Sequence, residues 1–129
     1  MNKMSFLDSI FGKKSKENSN LDWNTLSDIA QLETIVKNSS TKTQAIFKHS
    51  TRCGISSVVL RKFEKQFDIS TSIDLYFLDL LSNRELSNEI AHRFNILHQS
   101  PQLLIIKNKK IVYHASHYDI ISNGILDFV

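Results

Sequence analysis

One cysteine, one proline and three glycines are all that this chain of 129 residues holds of the types that staple, kink or loosen a backbone. A lone cysteine excludes an internal disulfide framework and fits a reducing compartment, so a cytoplasmic location is expected. The shortage of glycine and proline excludes collagen-like and low-complexity architectures. Long apolar runs are missing too. The run Leu103 to Ile106 is far too short to cross a bilayer, and no signal-type segment with a small-residue cleavage site appears, so no integral membrane segment is expected. Nor is charge of one sign massed anywhere. The 16 basic and 13 acidic residues are mixed along the chain, with a formal charge of +3, which argues against nucleic acid as a partner. What remains is a chain 41% hydrophobic, the size of one ordinary domain with a proper core, expected to be a monomer.

The single cysteine lies in His49-Ser50-Thr51-Arg52-Cys53-Gly54-Ile55-Ser56, between the apolar run Ala45-Ile46-Phe47 and a stretch with helical spacing (Ile55, Val58, Val59, Phe63, Phe67). This spacing puts Cys53 at a strand-to-helix junction, in the first turn of the helix. First-turn N–H groups have no intrahelical partners and favour a negative charge such as a thiolate. Arg52 adds a positive neighbour, and Gly54, the residue after the cysteine, is grouped with Arg52 and Ser56 as support for the thiolate. Ser56, three residues on, shares the helical face of Cys53, and its hydroxyl is expected to donate to the sulfur. A buried structural cysteine is the competing reading, since free cysteine is often buried. His49 is read as a strand-end residue whose side chain points away. A zinc site with His114 and His117 is not expected, because a closed site needs four ligands.

Taken in order, Met1 to Asn20 form a short amphipathic arm (Phe6, Leu7, Ile10, Phe11) and a polar linker, followed by one domain over residues 21–129. Leu21-Asp22-Trp23 reads as an edge strand, and Ser27 as the N-cap of a helix carrying Ile29, Leu32, Ile35 and Val36. A strand over Thr43 to Lys48, the Cys53 helix and a strand over Ile73 to Leu78 make a parallel crossover unit. Ser82-Asn83-Arg84-Glu85 reads as a capping box opening a helix to about Asn95. Pro101 then starts a strand, and Lys107 to Lys110 turn it back into Ile111-Val112-Tyr113 as a hairpin without glycine. Ser116 to Asp119 start a last helix with Ile121, Ile125 and Phe128 on its core face. The order β-α-β-α-β-β-α predicts a thioredoxin-like α/β/α sandwich with a mixed parallel and antiparallel sheet.

Phe47 to Cys53, Ile55-Ser56, Ser100-Pro101 and His114 to Ile120 fall in an order that resembles the YtxJ-like family of bacilliredoxins, thioredoxin-fold proteins of bacillithiol-producing Firmicutes. The resemblance covers roughly Leu21 to Val129. The family usually has proline after the cysteine. Gly54 departs from this and makes the site similar to the Cys-Gly-Phe-Ser of monothiol glutaredoxins, which carry iron-sulfur clusters. The resemblance implies a monothiol oxidoreductase whose Cys53 removes bacillithiol from mixed disulfides on client proteins, with bacillithiol as co-substrate and no other cofactor. It also implies a cis Pro101, with Thr51, Ser100, Pro101, Ser116 and His117 contacting substrate and Arg52 and the Ser116-His117 segment meeting the malate carboxylates. Recycling would fall to free bacillithiol or a partner reductase. An iron-sulfur carrier and a non-catalytic adaptor remain the alternatives.

Overall fold

Two neighbouring strands with no exposed apolar residue sit in the middle of the sheet. They are β2 (Gln44–His49) and β4 (Gln102–Lys107), and both are covered on both faces. The computed structural model describes residues 21–67 and 72–122. The expected arm over 1–20, and Gly124, Ile125 and Phe128 of the expected last helix, lie outside the described residues. The remaining elements are β1 (Trp23–Thr25), α1 (Ile29–Asn38), α2 (Gly54–Gln66), β3 (Asp74–Asp79), α3 (Arg84–Phe94), β5 (Lys110–Ser116) and α4 (Asp119–Ser122).

The sheet order is β1-β3-β2-β4-β5. β3 runs parallel to both β1 and β2, whereas β4 is antiparallel to β2 and β5 antiparallel to β4. This is the expected thioredoxin-like sandwich. Alternation along the strands divides the core in two. Ala45, Phe47, Leu103 and Ile105 face Val59 and Phe63 of α2 and Ile120 of α4. Ile46, Leu104 and Ile106 face Leu32 and Ile35 of α1 and Leu86 and Ile90 of α3. Rings secure the first layer. Phe47 lies 5.6 Å from Phe63 and 6.0 Å from Trp23, pairs worth about 0.5–1.5 kcal/mol each beyond area burial.

Three local expectations need correction. The N-cap of α1 is Asp28, not Ser27. Its carboxylate accepts from the Gln31 amide while Gln31 Oε1 accepts from the Asp28 amide, a reciprocal box whose three-residue spacing to Gln31 fits Asp28 and not Ser27. The proposed box at Ser82 to Glu85 does not form, because Asp79 attracts both side chains. Ser82 Oγ donates to Asp79 Oδ2, Asn83 Nδ2 donates to Asp79 O, and Asn83 caps α3 with no side-chain bond. In α2 the buried face begins at Ser56 rather than at Ile55, which is 42% exposed.

The glycine-free hairpin turns on Asn108 and Lys109, both left-handed, as the twist of a two-residue hairpin requires. Ser39 at the end of α1 holds this turn. Its carbonyl accepts from the Asn108 amide and its hydroxyl from the Lys109 amide.

Candidate active site

The topology brings four chain ends to one edge of the sheet. β2 and β5 finish there, β4 begins there, and α2 starts there. Ligands of open α/β sheets bind at such carboxyl ends, where the connections part to opposite faces.

Cys53 sits between β2 and α2 as the N-cap, not in the first turn. Its backbone is extended (φ −105°, ψ 118°), its carbonyl accepts the first helical bond from Ser57, and its amide donates to Ser50 O. The thiol is half-buried and free, and its side chain makes no capping bond. The first-turn amides are therefore not taken up by the cap. They are oriented to favour negative charge next to the sulfur. Thr51 and Arg52 are exposed, and no ion pair engages Arg52 among the described residues. A Cβ added at Gly54 would meet nothing within 4 Å, so space does not demand glycine there.

Pairing between β2 and β4 ends with Lys48 opposite Gln102, so Pro101 enters the sheet directly ahead of the last paired residue. The Ser100–Pro101 peptide is cis, as expected. Ser100 Oγ is buried without a hydrogen-bond partner among the described residues. Ser116 closes β5 opposite Gln102, and the exposed His117, with φ 55°, donates its amide to Pro101 O at 3.0 Å. The expected site residues thus fall in loops and strand ends at one end of the sheet. The helix beyond them begins only at Asp119, whose carboxylate occupies its first turn, so Ser116 and His117 do not form a helix start suited to an anion.

A family model described as "Monothiol bacilliredoxin BrxC" matches residues 24–125. The chain belongs to the monothiol bacilliredoxin family. A solved structure described as a candidate oxidoreductase with a thioredoxin fold is 34% identical, with a TM-score of 0.68, covering 78% of this chain and 88% of that chain. Thioredoxins of Malassezia sympodialis (16% identity, TM-score 0.64, 81% and 86% covered) and Schistosoma mansoni (18%, 0.63, 84% and 96%) share the fold. The bacilliredoxin is accordingly a monothiol member of the thioredoxin-fold oxidoreductases. Among its described residues, no three His, Cys, Asp or Glu side chains cluster as metal ligands. No described helix is long and apolar enough to cross a membrane.

One site contact in the bacilliredoxin differs from the sequence reading. Ser56, fully buried, does not bond the sulfur. Its Oγ lies 2.7 Å from His49 Nδ1 and accepts from the Ser50 amide at 3.2 Å. Burial pushes His49 below the usual imidazole range, with the Asp79 charge opposing, and its Nδ1 shares a hydrogen bond with the Ser56 hydroxyl. His49 therefore points inward onto α2 rather than away. Strand alternation carries this signal, since His49 shares the α2-facing parity of Ala45 and Phe47. Replacing Ser56 by Ala strands the Ser50 amide and the His49 nitrogen in a buried place. The expected cost is about 1–3 kcal/mol, measured as a lowered denaturation midpoint. An unchanged midpoint would show that the network does not support the loop ahead of Cys53.

Proposed function

We propose that this protein takes bacillithiol off cytoplasmic client proteins by thiol-disulfide exchange at Cys53. The observation that carries the reading is one free, half-buried cysteine at a helix start that has no side-chain cap. It lies at the sheet edge where the cis Pro101 segment begins, within the span matched by the family model. The Cys53 thiolate attacks the sulfur of the bacillithiol half of a client mixed disulfide. The client sulfur–sulfur bond breaks, its thiolate leaves and takes a proton from water, and a Cys53–bacillithiol disulfide forms. With no second cysteine in the chain, a second thiol must collect the bacillithiol, either free bacillithiol or a reductase. Arg52 is the exposed cation for the malate carboxylates. Thr51, Ser100, Pro101, Ser116 and His117 surround the substrate disulfide.

The test offers the purified protein one client carrying bacillithiol and the same client carrying glutathione. The expected result is a mass increase of one bacillithiol on Cys53, freed client thiol, and clearly slower transfer from the glutathione form. Equal rates from both would overturn the substrate assignment. No adduct from either would overturn exchange itself and favour an adaptor role.

A further inference from the structure

Lys48 lies next in sequence to His49 but on the opposite face of β2, fully buried, and no carboxylate pairs with it among the described residues. Its Nζ donates to Ser87 O of α3 at 3.2 Å and lies 3.4 Å from His98 Nδ1, which is also 3.2 Å from Ser87 Oγ. An ammonium has donors only, so a bond from Lys48 requires the imidazole to offer its Nδ1 lone pair, with its proton on Nε2. Gln102, the cross-strand partner of Lys48 on the same face, donates Nε2 to Leu97 O at 3.0 Å. One cross-strand pair thus grips Leu97 and His98, two residues ahead of Ser100 and Pro101. The left-handed cap Asn95 delivers this segment from α3 to the sheet edge.

We infer that Lys48 and His98 are positioning residues forming a proton-sensitive brace: neutral His98 lets Lys48 hold the segment that presents Ser100 and Pro101 to a mixed disulfide, and protonation of His98 releases it. Protonation would place an N–H where Lys48 already points a donor, at 3.4 Å, setting a second positive charge against the buried ammonium in a half-buried contact. Among the described residues, the groups placed at His98 are Lys48 from β2 and Arg84 and Ser87 from α3, while Gln102 of β4 holds the neighbouring Leu97 carbonyl. Both charged members are cations. Burial, then Lys48, then Arg84 hold His98 below the usual imidazole range.

What the segment presents rests on the exchange reading above, but the brace can be read without it. In labelled protein, the His98 ring signals are followed from acid to neutral pH together with the amides of Leu97 to Ser100. In the wild type, the amides should shift with the His98 midpoint. In Lys48→Met, that midpoint should rise toward the ordinary imidazole value of about 6.5. In transfer assays, KM for the bacillithiolated client should increase in the wild type as pH falls through the His98 midpoint, with kcat changing less. His98→Asn retains an acceptor near Nδ1 but cannot titrate, so it should keep the neutral-pH KM and lose its acid dependence. A His98 midpoint unmoved in Lys48→Met, or Leu97 to Ser100 amides that ignore it, would overturn the brace. An acid rise in KM retained in His98→Asn would overturn its link to substrate. Absence of transfer at every pH would instead strike the exchange reading, with the ring titration still deciding the brace.

Discussion

Cys53→Ser should abolish bacillithiol transfer and at the same time make the protein more stable. The loss follows from the nucleophile. A serine hydroxyl is not ionised near neutral pH and forms no disulfide, so no adduct mass should appear at any incubation time. The gain follows from the position. Cys53 is the N-cap of α2, with the extended backbone of a cap and no side-chain bond to the first turn. Serine is among the best N-cap residues, and a side chain that caps contributes about 0.5–2 kcal/mol over one that does not. For a domain of this size, that is a rise of a few degrees in Tm, on the order of 4 °C per kcal/mol. Thermal or denaturant unfolding of the two proteins side by side checks it. A serine variant less stable than the wild type would show that thiol packing outweighs capping at this position. The physical sense is a conflict between stability and reactivity. A cap that consumed the first-turn amides would leave fewer of them to stabilise a thiolate.

Lys48→Met should stabilise the protein at pH 7 and remove a pH dependence that the wild type shows in alkali. Burial brings the Lys48 ammonium down from 10.5 to about 8. Between these values the unfolded chain holds a proton that the folded chain has given up, so wild-type stability rises with pH across the window. Below about pH 8 both states are protonated and the cost of burying the charge is present in full. A shift of this size corresponds to roughly 3 kcal/mol. Methionine matches the length of the lysine stem and carries no charge, and removing a buried charge in favour of a well-packed apolar residue is often stabilising by about 1–4 kcal/mol. Guanidinium unfolding at pH 7 and pH 10 should show a clear gain for the variant at the lower pH and a much smaller one at the higher. A variant weaker than the wild type at pH 7 would mean that the bonds from Nζ to Ser87 O and His98 outweigh desolvation. The same substitution is expected to displace the segment ahead of Pro101, so stability and substrate positioning should move in opposite directions.

The sequence by itself determined the sandwich and singled out the cysteine. The apolar run Ala45 to Phe47, the partly alternating stretch Ile73 to Leu78 and the helical spacing through Val59 and Phe63 are local patterns, and they mark the strands and helices that carry the core. A single cysteine between such a strand and such a helix needs no further context to stand out. The motif order was also sufficient to place the chain in its family, and the match over residues 24–125 agrees with it. The tertiary structure decided which side chains pair. Whether the Ser56 hydroxyl meets the sulfur or His49 depends on how close α2 lies to β2, which no spacing rule contains. Asp79 drew Ser82 and Asn83 out of a capping box for the same reason, since a competing acceptor from the end of β3 was near. Lys48 reads in sequence as an ordinary charge at a strand end. Only the layering of α3 and residues 97–98 over that face of β2 makes it a buried ammonium gripping the approach to Pro101, because burial and partner choice are set by elements far apart in the chain.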